Sequence, residues 1–594
     1  MNRWLGGVSG GGVLDMALRY GGRRGYRAMT YGALRKPSGV AFTRSRGLEV
    51  VYDPMINQGT HFSDVLRERM HIRGLVPPSV QPLDMQAQRI VKSLNDIEKP
   101  IDKYSFLQQL LDRNVVLFYK VLVEHFCELA PIVYTPTVGQ ACQFLDLIYR
   151  RTKGMWFSVY DIGMMKSMTY NWPEDDVDVI VVTDGGRILG LGDLGSNGMA
   201  IPIGKLNLYV AGGGLHPKKT LPVTIDVGTD NETLLNNPMY LGVHRRRLEG
   251  EDYMRFVEEW MDAVTTRWPN ACIQFEDFGT ANAFALLEKY RDRYLCFNDD
   301  IQSTGCIALA SVLASLRARG LSFGDLVGER IVIAGAGSAG LGVCEQIVQY
   351  VASKGVDSKE AYARFWMLDH HGLIGKGRPA EDLLFSQGSF QRSDLPSGMG
   401  LLEVVRAVKP TILIGLSGAK GIFTGDVLRE MSKHVERPVI LPLSNPSDNS
   451  ECTAEEACKH TKGKAIFASG SPFPSVKMSD GRVMHTNQCN NIYSFPGMGL
   501  AVSTCGLRRV TDKMFLASAV KIASLMSDED VSKGILFPPL AQLRDVSAHV
   551  AAAIVEEAMK QDLLRDPPPP DEDIVDFMAT SMWTPYYDVL VPVH

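Results

Sequence analysis

The segment RIVIAGAGSAGLGVCEQIVQYV, residues 330–351, limits the possible folds more than any other part of the chain. An apolar run of strand type enters Gly335, Gly337 and Gly340, spaced as G-x-G-x-x-G with Ser338 between them, and leaves into a helix. A strand, a glycine turn and a helix in this order provide a tight bend and a bare backbone, with helix N-terminal amides that suit a pyrophosphate. Such a unit belongs to an α/β sheet with helical crossovers, so a Rossmann-type dinucleotide-binding domain is expected. Asp369 ends the next strand, ARFWMLD, where an acid can accept a ribose hydroxyl, and His370 follows it. This acid lies 29 residues beyond Gly340, so the crossover is longer than the usual spacing of about 20.

The 594 residues amount to three or four units of about 150. Hydrophobic residues at 45% and charged residues at 22% describe a globular chain, not a disordered one. A net charge of -5 argues against a coat for nucleic acid or anionic membrane, so neither is expected as a partner and small ligands are favoured. Ten cysteines without a CxxC pair fit a reducing compartment, and apolar stretches fall short of the 18 or so residues of a spanning helix. Residues 1–48 are different: eight Arg and one Lys stand against one acid, Asp15, the composition of a mitochondrial transit peptide, with a cytoplasmic address as the alternative. Folded structure is expected from Glu49 onward. Helical spacing dominates 60–150 and is expected to end at Pro131, whereas VDVIVV, LPVTIDV and ACIQF read as buried strands, with a second short strand in ILGLG. Strands also follow the glycine turn in PTILIGLSG and PVILPLSNP, and Pro567–Pro570 reads as a stiff linker before a short tail.

Two acidic pairs, Glu276-Asp277 in QFEDFG and Asp299-Asp300 in CFNDDIQ, each follow an apolar segment. Carboxylates converging from strand exits suit a hard divalent cation such as Mg²⁺ or Mn²⁺. With these motifs in view, the chain from Asn57 onward resembles the malic enzymes, through NQGTHFSDVLRERMHIRGLVPP, PIVYTPTVGQACQ, RILGLGDLGSNGMAIPIGKLNLYVAGGG, PVTIDVGTDN, IQFEDFGTANAF, FNDDIQSTG, LSNPSDNSECTAEEA and ASGSPF. The resemblance implies oxidative decarboxylation of L-malate to pyruvate and CO₂, with reduction of NADP or NAD and a required divalent metal. It also implies a homotetramer and a substrate domain split by the dinucleotide domain. The expected layout is a basic extension at 1–48, a helical domain at 49–152 and the first part of an α/β substrate domain at 153–298. The Rossmann-type domain follows at 299–490, the second part of the substrate domain at 491–562 and a tail at 563–594.

Roles follow from the same resemblance, motif by motif. Tyr134 in VYTPT matches the family's general acid and Lys205 in PIGK its general base, with Asp299 orienting the lysine. Glu276, Asp277 and Asp300 match the metal ligands, Arg187 the arginine that grips a malate carboxylate, and Asn445 and Asn491 amides beside the substrate, Asn445 also reaching the cofactor. Ser303 stands where family members usually carry Gly. Arg89 and Arg113 match arginines that hold a dicarboxylate effector in some members, with structural ion pairing as the alternative. A malolactic-type lyase that keeps its nicotinamide bound, and a nucleotide-binding regulatory protein without chemistry, are the competing functions. Asp369 favours NAD, whereas His370, His371, Lys376 and Arg378 would draw a 2′-phosphate, and on balance NADP preference is expected.

Overall fold

The computed structural model describes residues 39–383, 387–445 and 447–593. Most of the basic segment read as a transit peptide, residues 1–38, lies outside the described residues.

The N-terminal region is a cluster of helices, including Leu83–Asn95, Pro100–Arg113, Val115–Glu124, Phe126–Val133 and Thr137–Gln143. Local chemistry sets their ends: Pro100 occupies the first turn of its helix, and the Asn114 side chain accepts the Leu117 amide at 2.9 Å to cap the next one. Pro131, expected to close the helical run, instead sits inside Phe126–Val133.

Two parallel sheets follow. The first runs in spatial order Met155–Ser158, Thr220–Asp226, Val179–Thr183, Cys272–Phe275 and Cys296–Asn298. Every residue of its three central strands is buried, as a parallel sheet covered by helices on both faces requires. The second sheet has the order Thr486–Gln488, Ile466–Ser469, Val439–Pro442, Ile412–Gly415, Ile331–Ala334, Phe365–Asp369 and Gly372–Leu373, with only the last pair antiparallel. The strand that feeds the glycine turn lies between Ile412–Gly415 and Phe365–Asp369, at the point where the strand order reverses and a crevice opens. The expected strand in ILGLG is absent. Asp184–Gly195 is a loop held by one bridge, Ile188 to Gly192.

Helix Thr304–Ala318 joins the sheets, entered through a single π-turn at Asp299–Ser303. Contrary to the expectation that no apolar stretch is long enough, Asp299–Ala318 meets the length and hydropathy of a membrane span, but 89% of its most apolar 18-residue window is buried within the protein. Its small Ala, Ser and Gly side chains let it serve as a core helix between the two sheets.

After Asn491 the chain returns to the first sheet: helix Phe495–Cys505 crosses Ala200–Gly213 so closely that a Cβ on Gly213 would lie 2.5 Å from the Pro496 carbonyl oxygen. The N-terminal end departs from the expectation that folded structure begins at Glu49. Strand Val40–Thr43 precedes Glu49 and pairs in parallel with Val589–Pro592, while helix Ile574–Ser581 is capped by Asp573 and buries Met578. Pairing satisfies one edge of each strand.

Candidate active site

The carboxyl ends of the first sheet face the glycine turn of the second, and a cavity of about 240 Å³ lies between them. Helix Ala200–Gly213 buries Lys205 at its floor, 2% exposed. Its Nζ contacts Glu276 Oε1 at 2.7 Å and Asp299 Oδ2 at 2.8 Å, donates to Tyr134 Oη at 3.1 Å, and lies 4.6 Å from the centre of the Phe495 ring. Tyr134, which closes helix Phe126–Val133, donates its own hydroxyl proton to Glu276 Oε1 at 3.1 Å. Asn491 donates to Asp299 Oδ2 at 2.8 Å and to Thr304 Oγ1 at 3.1 Å, so it fixes the carboxylate that contacts the lysine.

Glu276 and Asp277 exit strand Cys272–Phe275, and Asp300 lies in the π-turn; one oxygen from each falls within 4.8 Å of the other two. Asp277 adopts φ of +56°, a left-handed backbone that Asp tolerates better than most residues. Its amide donates to Asp300 Oδ2 at 2.8 Å, while its own Oδ2 is buried with no protein partner. An all-oxygen set with an orphaned carboxylate oxygen fits a hard divalent cation. Burial pushes the Glu276 carboxyl up to about 8 against the pull of Lys205, and also raises Asp277 and Asp300. Burial acts to lower the Lys205 ammonium, but Asp299 and Glu276 outweigh it and hold it well above the usual lysine range. Burial raises the Tyr134 phenol, opposed by the same lysine.

Arg187 leaves the Asp184–Gly195 loop and spans the crevice, donating to Thr280 Oγ1 at 2.9 Å and to Ser338 Oγ at 3.0 Å. Asn445 lines the cavity opposite, accepting from Ser471 Oγ at 2.8 Å. At the turn, a Cβ on Gly335 or Gly340 would lie within 2.4 Å of backbone, whereas the nearest atom to one on Gly337 is 3.9 Å away. That bare surface suits a dinucleotide phosphate. Asp369 Oδ1 accepts the His371 amide at 2.8 Å and Oδ2 accepts from Arg378 at 2.8 Å, with His370 and His371 exposed beside them.

The cavity thus gathers Tyr134, Arg187, Lys205, Glu276, Asp277, Asp299, Asp300, Asn445 and Asn491. Arg89 and Arg113 are exposed on the helical region and do not line it. Sequence reading missed Gln274, which is fully buried, accepts from Tyr209 and donates to Glu276 Oε2 at 2.6 Å. A glutamine inside the apolar strand CIQF was the available signal, since buried amides need partners.

Comparison with known proteins gives matches across both halves. The family description "Malic enzyme, N-terminal domain" matches residues 111–291, and "Malic enzyme, NAD binding domain" matches residues 301–559. A hydrogenosomal malic enzyme of Neocallimastix frontalis is 49% identical over 552 residues, covering 93% of each chain. NAD-dependent malic enzyme 2, mitochondrial, of Arabidopsis thaliana is 44% identical, covering 95% of this chain and 97% of its own. An NADP-dependent malic enzyme of Rattus norvegicus is 43% identical, covering 93% and 95%. Among solved structures, the malic enzyme of Entamoeba histolytica has the same fold with a TM-score of 0.54 at 19% identity, covering 86% of this chain and 90% of its own.

Proposed function

The chain belongs to the malic enzyme family, and from that premise we propose that it oxidatively decarboxylates L-malate to pyruvate and CO₂, with reduction of a nicotinamide dinucleotide. One observation carries this reading: Lys205, Tyr134 and the carboxylate cluster share one cavity that opens onto the glycine turn. A regulatory protein without chemistry has no use for a buried lysine held by two carboxylates and a phenol.

Arg187 pairs with a malate carboxylate through its planar fork. Glu276, when engaged as a metal ligand, would no longer hold the Lys205 ammonium high. The neutral Nζ then accepts the hydroxyl proton while the C2 hydride leaves to the nicotinamide, so malate is oxidised and the dinucleotide reduced. The C–C bond to the departing carboxylate then breaks, and its electron pair stays on the three-carbon fragment as an enolate. Tyr134 returns a proton to carbon, and its 3.1 Å contact with Lys205 lets the lysine proton replace the one donated. Glu276, Asp277 and Asp300 would hold Mg²⁺ or Mn²⁺, which supplies positive charge where the enolate forms. Asp299, fixed by Asn491, keeps Lys205 aimed at the substrate.

NADP is proposed as the preferred dinucleotide. An unpaired Asp369 would repel a 2′-phosphate, but Arg378 neutralises it, Lys376 adds a positive charge, and the exposed His370 and His371 offer ring N–H donors. A higher kcat/KM with NAD at pH 7.5 would reverse this. The Arg-rich N-terminus and the mitochondrial and hydrogenosomal names of relatives support an organellar address, tested by the destination of a fluorescent fusion of residues 1–48. Exposed Phe144, Leu147, Tyr160, Ile162 and Met164 support assembly into the homotetramer, which light scattering would contradict by returning a monomer mass.

With malate, Mn²⁺ and NADP, pyruvate and reduced dinucleotide should accumulate in equal amounts; lactate without net reduction would instead identify a malolactic lyase. Lys205→Ala should lose malate oxidation by about 10²–10⁴-fold or more. Tyr134→Phe should lose pyruvate formation yet still reduce ketomalonate, which needs no carbon protonation. Parent-rate pyruvate formation in a folded variant removes that residue's assigned role.

A further inference from the structure

Between Val243 and Gly250 lies a largely buried arginine, Arg247, whose contacts converge on the loop that presents Arg187. Arg247 Nε donates to Asp193 Oδ2 at 2.7 Å and its Nη2 to Asp193 Oδ1 at 2.9 Å, a two-point fork. The same Nη2 donates to the Asp184 carbonyl at 2.9 Å, and Nη1 lies 3.5 Å from Asp184 Oδ2. Asp184 and Asp193 stand near the two ends of one loop, so a single guanidinium ties those ends together.

Each end is in turn wired to the turn geometry. Asp184 Oδ1 accepts the Gly186 amide at 2.8 Å, and Tyr253 donates to its Oδ2 at 2.8 Å. Asp193 Oδ1 accepts the Gly195 amide at 2.9 Å and the Thr229 hydroxyl at 2.9 Å, and Oδ2 accepts the Asp230 amide at 2.8 Å. Between these anchors the Arg187 amide donates to the Asp277 carbonyl at 3.1 Å, and its side chain reaches the cavity. Arg247, Asp184 and Asp193 do not themselves line that cavity. The Arg247 side chain is 11% exposed and that of Asp184 1%, and burying such charges is costly unless fixed geometry is the return.

We propose that Arg247 is a positioning residue for substrate binding: it clamps the Asp184–Gly195 loop so that the Arg187 guanidinium meets the malate carboxylate. The inference rests on the reading of Arg187 as the carboxylate-binding residue. A lysine at 247 keeps the charge but can reach only one end of the loop, because it lacks the fork.

Arg247→Lys and Asp193→Asn, each confirmed as folded by circular dichroism, are compared with Arg187→Ala and with the Arg187→Ala/Arg247→Lys double variant. Arg247→Lys should raise the malate KM by about tenfold or more, the scale of a lost charge-assisted hydrogen bond, with a smaller change in kcat. The Kd for NADP should stay within twofold, and in the Arg187→Ala background the further effect of Arg247→Lys should fall below twofold. Asp193→Asn should follow Arg247→Lys. An unchanged KM in folded Arg247→Lys, or the same multiplication of KM with and without Arg187, overturns the inference. If Arg187→Ala itself leaves KM unchanged, the reading of Arg187 fails and the inference with it; if Arg187→Ala raises KM and Arg247→Lys does not, only the clamp is refuted.

Discussion

Gly337→Ala separates a glycine kept for a ligand from one kept for the fold. Gly337 has φ of -80° and ψ of -169°, which alanine adopts freely, and the nearest atom to an added Cβ is Arg187 NH1 at 3.9 Å. The substitution should therefore cost the ligand-free protein almost nothing. Gly340 is the contrast: its added Cβ would lie 2.0 Å from the Gly335 carbonyl oxygen, about 1.4 Å short of the 3.4 Å where ordinary contact begins, so turn and helix must separate. In Gly337→Ala the methyl occupies only the space above the turn, where phosphate oxygens approach the amides of the helix that starts at Ser338. Holding the phosphate off costs one or two charge-assisted hydrogen bonds of about 1.5–3 kcal/mol each. At about 1.4 kcal/mol per factor of ten, the Kd for NADPH should rise by roughly 10- to 10⁴-fold. Fluorescence titration of NADPH in the absence of malate measures this without relying on turnover, and thermal melting reports the fold. Gly337→Ala should melt with the parent, and Gly340→Ala below it. A Gly337→Ala protein that binds NADPH within threefold of the parent would show that phosphate does not pass over this residue.

Three further outcomes follow from burial and charge. The buried carboxyl Glu276, near 8, and the raised Asp277 and Asp300 bind protons in the folded state that the unfolded chain gives up. The stability they lend the metal-free protein is complete below about pH 4 and is lost as pH rises toward 8; melting in EDTA should therefore fall between pH 6 and 8.5, flatten in Glu276→Gln and recover with Mn²⁺, and a melting point that rises over this range refutes the assignment. Arg378→Ala leaves Asp369 without its 2.8 Å partner and should shift the kcat/KM ratio toward NAD by about tenfold, an unchanged ratio arguing against a 2′-phosphate contact there. Leu107→Ala removes a fully buried side chain from helix Pro100–Arg113 and should cost about 2–5 kcal/mol in urea titration; an unmoved midpoint would mean that the helical region is not part of the cooperative core.

The strand–turn–helix at 330–351 was legible because the glycines, the apolar strand and the helix lie next to one another in sequence. The acid-rich exits of QFEDFG and CFNDDIQ were legible for a related reason: charge directly after a buried strand has few places to go. The extended pairing of Val40–Thr43 with Val589–Pro592 was not, since two four-residue strands more than 500 residues apart carry no local signal of each other. The glycine-rich loop at 184–195 misled in another way: its apolar ILGLG looks like a strand, but contacts from outside the segment decide its shape.

Those contacts make the site a product of distant sequence at every level. Lys205 comes from one helix, its two carboxylates from the ends of two strands, and Asn491, which fixes one of them, from just after the last strand of the second sheet. The π-turn Asp299–Ser303 shows why such an arrangement is sensitive to packing. Asp299 faces the lysine, Asp300 accepts from the Asp277 amide, and Ile301 presents its carbonyl to the cofactor helix so closely that a Cβ on Gly342 would lie 2.5 Å away. Ser303 completes the same turn with a fully buried Oγ that has no protein partner. The carboxylate that holds Lys205, a candidate metal ligand and the contact with the helix after the glycine turn therefore share one short stretch of backbone. Displacing the helix at Gly342 should disturb the carboxylates as well as the dinucleotide, so a defect that looks like lost cofactor binding should also weaken Mn²⁺ binding in this protein.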